Sequence, residues 1–208
     1  GFPLLMLGGL GLSVSDMRRL SAGLAPDCRV IRVDNRGTGK SSKPPGPYSI
    51  EQMAADAIAL MDALDVPCAD VFGISMGGRI ALSLALDHSE RVRRIVLVST
   101  GPRAAGHRWL VQIGMRVSHL TGLLGGERQS PAALQAQYDA TSRYDCTARL
   151  GEIDAPTLVV HGRHDQVAPF ALAREMSAAI PEAKLVSFGG GHLVSLVTHT
   201  NEVVAAVR

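Results

Sequence analysis

The run Ala69-Asp70-Val71-Phe72-Gly73-Ile74-Ser75-Met76-Gly77-Gly78 decides how this chain folds. Ala69 to Ile74 is a short, mostly apolar, β-favouring stretch and predicts a strand. Met76 to His88 predicts a helix directly behind it. A serine at that junction, with glycine two positions to either side, predicts a sharp and strained strand-to-helix turn. The small flanking residues let the chain pass close to its neighbours. Such a turn lifts the Ser75 hydroxyl above the carboxyl edge of a sheet and aims the next backbone N–H, that of Met76, at a developing oxyanion. The helix N-terminus adds partial positive charge at the same place.

Outward from this junction the same rhythm repeats. Leu4–Leu7, Arg29–Val33, Arg94–Val98, Thr157–Val160 and Lys184–Phe188 read as further strands. Helical patterns fall between them: from Ser13 to about Leu24, from a Ser49/Gln52 capping box to about Leu64, from about Phe170 to Ile180, and at the end of the chain. Strands alternating with helices predict βαβ units, hence an α/β fold with a mostly parallel, doubly wound sheet. Strands that are apolar nearly throughout suit a sheet covered on both faces. One interval breaks the rhythm, because no strand candidate lies between Ser99 and about Leu150. His107–Leu124 has helical period, with Trp109, Ile113, Val117, Leu120 and Leu124 near one face, and Gln129–Arg143 reads as a second helix. Residues 1–101 and 150–208 are therefore expected to form the core, and 102–149 a short helical lid. A longer helical crossover is the alternative.

Composition narrows the function. The chain has 208 residues, 46% hydrophobic and 19% charged, enough to bury a sizeable core. A net charge of +2 without a basic run argues against nucleic acid as partner. No apolar stretch reaches the ~18 residues of a membrane span. Three widely spaced cysteines, Cys28, Cys68 and Cys146, argue against a disulfide scaffold and fit a reducing, cytoplasmic compartment. Gly1-Phe2-Pro3 has neither a basic start nor a cleavage site, so no secretory leader is expected.

A serine nucleophile needs a base, and the base needs an acid to orient it. Of seven histidines, His192 follows the last strand through Phe188-Gly189-Gly190-Gly191, a loop able to bring an imidazole over the sheet end. His161 at a strand end reads as structural, and His88 as a helix-end residue. Asp165 stands just past the fifth strand, at the same edge, and can reach the far nitrogen of His192. No acid follows the fourth strand, where Ser99-Thr100-Gly101-Pro102 stands. Two decoys fail. Gly39-Lys40-Ser41 has Asp34 where a phosphate loop needs glycine, and Gly9-Leu10-Gly11 has Val14 where a dinucleotide fingerprint needs its third glycine. His161-x-x-His164-Asp165 has no further histidine pair to complete a metal site. No metal or cofactor is expected.

With these residues in place the chain resembles the α/β-hydrolases over nearly its whole length. The likeness rests on Gly73–Gly77, Asp34–Ser41, Ala155-Pro156 to Asp165, Gly191-His192, and the chain order Ser75, Asp165, His192. It implies a Ser75–His192–Asp165 triad and an oxyanion hole made by the N–H groups of Leu10 and Met76. The family's histidine before that loop is Gly8 here. The family's first two, antiparallel, strands are missing, which leaves a bare sheet edge that needs cover or pairing. Trp109, Ile113, Val117, Val167 and Leu193 are expected to line the acyl pocket. Among family members the Ser-Met-Gly-Gly run and short lid look closest to enol-lactonases, small carboxylesterases and carbon–carbon hydrolases of ring-cleavage products. The apolar Leu10 and Leu12 favour esters or lactones. The expectation is a serine hydrolase of a small carboxylic ester or lactone, acting without a membrane or nucleic-acid partner, with a homodimer left open. The alternatives are a carbon–carbon bond hydrolase, a thioesterase, a cofactor-free lyase or cyclase, and a non-catalytic small-molecule binding protein.

Overall fold

The computed structural model describes residues 1–105, 109, 111–112, 130–193 and 199–208. Within them six strands form one sheet: β1 (Phe2–Leu7), β2 (Cys28–Val33), β3 (Ala69–Ile74), β4 (Val92–Val98), β5 (Thr157–Gly162) and β6 (Lys184–Phe188). Their order is β2-β1-β3-β4-β5-β6, and every pairing is parallel. The helices are α1 (Arg18–Leu24), α2 (Ile50–Ala63), α3 (Met76–Asp87), α4 (Pro131–Arg143), α5 (Phe170–Ala179) and α6 (Thr200–Val207).

Strand periodicity divides the core into two layers. Leu5, Leu7, Val71, Ile95, Leu97 and Val159 pack against α2, α3 and α5 through Met53, Met61, Ile80, Leu84 and Met176. Leu4, Met6, Phe72, Ile74, Val96, Val98 and Val160 point the other way, onto Leu20 and Leu24 of α1 and Val203 and Val204 of α6. Adjacent residues of one strand thus bury opposite faces. This is why these strands read as continuous apolar runs. The doubly wound α/β arrangement is the expected one. Among the described residues the edge strand β2 pairs only with β1, and its side chains are half-buried or exposed. No described helix is long and apolar enough to cross a membrane.

Two details differ from expectation. The first helix begins at Arg18 rather than Ser13. Asp16 Oδ2 accepts from both the Ser13 N–H and its hydroxyl, and Asp34 Oδ1 accepts from the Val14 N–H. Those side chains hold the segment in turns that compete with helix. The helix expected over 107–124 lies mostly outside the described residues; Trp109, Val111 and Gln112 are helical. Elsewhere the limits agree to within a residue or two, and Ser49 Oγ caps α2 by accepting the Gln52 N–H at 3.0 Å.

Candidate active site

β3 runs into α3 through Ser75, whose backbone has φ 53° and ψ −114°. A non-glycine residue in that region is strained by about 1–3 kcal/mol and persists only where its surroundings hold it. Here the Ser75 N–H donates to Val98 O at 2.9 Å, and Thr100 Oγ1 donates to Ser75 O at 2.7 Å. The end of β4 and the residues just after it therefore fix both sides of the turn. The glycines are steric requirements: a Cβ on Gly73 would meet Gly77 O, and one on Gly77 would meet Leu7 O.

Above the turn three side chains join. His192 Nε2 lies 2.9 Å from Ser75 Oγ, and His192 Nδ1 lies 2.8 Å from Asp165 Oδ2. The arrangement fits Nδ1–H donating to the carboxylate while Nε2 accepts from the hydroxyl. The carboxylate is itself held in place. Asp165 Oδ1 accepts the N–H groups of Val167 at 2.9 Å and Ala168 at 2.8 Å. His161 is fully buried beneath it; its Nε2 donates to Ala168 O at 2.7 Å and lies 3.4 Å from Asp165 Oδ2. Burial would raise the Asp165 pKa. Hydrogen bonds from His161, His192 and the Ala168 N–H, with the His192 charge, outweigh it and hold this carboxyl well below the usual carboxylate range. The loops after β5 and β6 are tied together by Arg163 N–H to Phe188 O and His164 N–H to Gly190 O, both 2.9 Å. That tie brings His192 over the sheet end despite its three glycines.

Ser75, Met76, Leu10, Val167 and His192 border one cavity of about 360 Å³, with Ala104, Ala105, Val111, Tyr138, Thr141 and Ser142 on its far side. Trp109 and Leu193, expected on its wall, do not border it and are 56% and 38% exposed. Trp109 and Val111 are two positions apart on a helix of 3.6 residues per turn, so they face opposite sides, and the cavity takes Val111. Leu193 directly follows His192 in a turn and points outward. Ile113 and Val117 lie outside the described residues.

Several residues around the site were not singled out from sequence. Gln137 of α4 is completely buried; its Oε1 accepts the Gly11 N–H at 3.0 Å, and its Nε2 donates to Arg36 O at 2.7 Å and Thr38 Oγ1 at 2.8 Å. Asn35 Nδ2 donates to Gly8 O at 2.8 Å. Together they hold the Gly8–Leu12 loop. Asp34 is likewise structural, accepting the Val14 and Lys40 N–H groups.

A serine on a sharp strand-to-helix turn of a parallel sheet, hydrogen-bonded into a Ser–His–Asp chain, is the α/β-hydrolase arrangement. The alpha/beta hydrolase fold family matches residues 3–123, and a family described as TAP-like protein matches residues 130–207. This chain belongs to the α/β-hydrolase fold family. It is 30% identical to a provisionally named carbamate hydrolase, RutD, of Azorhizobium caulinodans, over 95% of this chain and 87% of that protein. It is 30% identical to the 2-hydroxymuconate semialdehyde hydrolase of Pseudomonas sp. strain CF600, over 91% and 79%. The crystal structure of the enol-lactonase from Burkholderia xenovorans LB400 superposes with a TM-score of 0.88 at 26% identity, covering all of this chain and 90% of that one. This α/β-hydrolase is thus similar to enzymes that break different bonds. The fold does not decide among them.

Proposed function

We propose that this α/β-hydrolase is a serine esterase or lactonase working through an acyl-enzyme. The observation that carries the reading is the continuous hydrogen-bonded chain Ser75 Oγ–His192–Asp165, at 2.9 and 2.8 Å, opening onto a cavity of about 360 Å³ that has room for an acyl group. His192 takes the Ser75 proton as Oγ attacks the substrate carbonyl, then gives it to the leaving alcohol. Asp165 holds the imidazole in the tautomer that presents Nε2 to the serine and stabilises the imidazolium. The N–H groups of Met76 and Leu10 bind the oxyanion. Water activated by His192 then releases the acid. Residues 102–149 act as a lid, contributing Ala104, Ala105, Val111, Tyr138, Thr141 and Ser142 to the cavity wall. An apolar wall at Leu10, Val111 and Val167 suits the hydrocarbon part of an acyl chain.

The test is p-nitrophenyl acetate turnover with fluorophosphonate labelling. A burst of nitrophenol, stoichiometric labelling at Ser75, and a loss of turnover of about 10⁴-fold or more in Ser75→Ala support the reading. Labelling that persists in Ser75→Ala refutes it.

A further inference from the structure

The cavity holds a charge that the acyl-transfer chemistry does not use. Arg79 follows Ser75 by four positions, one turn into α3, and borders the same cavity. Its side chain is buried, with the residue only 8% exposed. Its Nε donates to Gly101 O at 3.2 Å, Nη2 to Arg103 O at 2.7 Å, and Nη1 to Thr141 Oγ1. These acceptors are all neutral. Among the described residues no carboxylate pairs with it, whereas Arg36, Arg91, Arg93, Arg103 and Arg149 all have carboxylate partners. A guanidinium carries five N–H donors, so three bonds do not exhaust it. Burial pulls its pKa down to about 10, which leaves it charged at neutral pH. A buried cation without a counter-ion is costly.

A second observation lies beside it. Ser99 borders the cavity, is fully buried, and has a backbone φ of 48°. Its hydroxyl has no partner among the described residues. Strained non-glycine backbone of this kind gathers at ligand sites. Thr141 and Ser142 add further hydroxyls to the lining, and among the described residues no carboxylate borders the cavity. One part of an otherwise apolar wall thus offers a guanidinium and a free hydroxyl side by side, which suits an anion.

We infer that Arg79 and Ser99 form a subsite for a carboxylate carried on the acyl portion of the substrate. The inference rests on the esterase or lactonase reading and narrows it to half-esters of dicarboxylic acids and lactones bearing an acid side chain. An acyl group on Ser75 Oγ stays in the cavity until water releases it, whereas an ester's alcohol departs and a lactone's remains tethered to the acyl chain. A charge read by the buried wall therefore belongs to the part that stays.

The test compares mono-4-nitrophenyl glutarate with 4-nitrophenyl pentanoate, two esters of equal chain length that differ in a terminal carboxylate. The wild type is expected to favour the glutarate ester in kcat/KM by tenfold or more. Arg79→Met should cut the anionic-to-neutral ratio by on the order of 10- to 100-fold, mostly through KM, since it removes a charge-assisted hydrogen bond. Arg79→Lys should recover part of the ratio. Ser99→Gly, which removes the hydroxyl without backbone strain, should lower the ratio several-fold and serves if Arg79→Met does not fold. Thermal stabilisation of Ser75→Ala by glutarate but not by pentanamide tests the subsite without turnover. Glutarate binding with no ester hydrolysis by the wild type would overturn the esterase reading and keep the subsite. Ester hydrolysis with a ratio near one, unchanged in Arg79→Met, would overturn the subsite and leave Arg79 as a tie between α3, α4 and the β4 exit.

Discussion

Replacing Gln137 by alanine tests how the oxyanion loop is held. The side chain makes three hydrogen bonds in a buried setting, to Gly11 N–H, Arg36 O and Thr38 Oγ1. Each contributes about 1 kcal/mol net, and a buried partner left unpaired costs about 1–3 kcal/mol. The Thr38 hydroxyl can rotate toward another acceptor, so a total near 2–4 kcal/mol is expected. For a chain of this size that lowers Tm by roughly 5–15 °C. The effect on catalysis follows from position. Gly11 is bonded to Leu10, whose N–H is the proposed second oxyanion donor. Complete loss of one such donor costs about 10²–10³ in kcat. A loosened donor should cost about 10- to 100-fold in kcat with KM little changed. Thr38→Val removes one of the same bonds without touching Gly11, and should lower Tm slightly while kcat holds. Thermal melts and steady-state kinetics on an ester substrate check both variants. A Gln137→Ala protein that melts early yet keeps its kcat would show that the Gly8–Leu12 loop does not position the oxyanion.

Other perturbations are as direct. Asp165→Asn should keep the fold and slow ester turnover by about 10⁴-fold, because Nδ1 loses its acceptor and the wrong tautomer is favoured. The same carboxyl titrates below its ordinary range in the folded state, so the stability it contributes is present above about pH 4 and is lost as the pH falls further; acid melts of wild type and Asp165→Asn should therefore diverge above that pH and converge below it. Val111→Ala should enlarge the cavity and shift preference toward longer acyl esters, whereas Trp109→Ala should leave that ranking unchanged, as measured over a C2–C10 nitrophenyl series. Gly77→Ala places a Cβ against Leu7 O and should yield little folded protein, as read by far-UV circular dichroism and yield of soluble chain.

The fold was legible because its signals are local. Six apolar runs, each bounded by turn residues, lie within the six observed strands, and the strand-to-helix junction at Ser75 was fixed by five consecutive residues. The order Ser75, Asp165, His192 anticipated three side chains that the structure joins by hydrogen bonds. What was not legible depends on partners far away in sequence. Gln137 lies within the expected Gln129–Arg143 helix, and nothing local marks it; its role rests on a bond to Gly11, 126 residues away. Arg79 carried no signal in the sequence, because the carbonyls and hydroxyl that hold it inward come from α4 and the exit of β4. Ser13 looked like a helix cap, and the competing carboxylates of Asp16 and Asp34 could not be weighed from spacing alone. Trp109 failed for a simpler reason: helical period gives a face, not which way the face turns.

The all-parallel strand order makes every neighbour in the sheet a long-range contact, since each pairing waits for a crossover to close. Ser75 and His192 stand 117 positions apart and meet only when β3, β5 and β6 are all seated. The reactivity of one hydroxyl thus becomes a census of complete molecules. A fluorophosphonate titration should count native chains in a preparation, and in a refolding time course it should lag behind the recovery of helical signal.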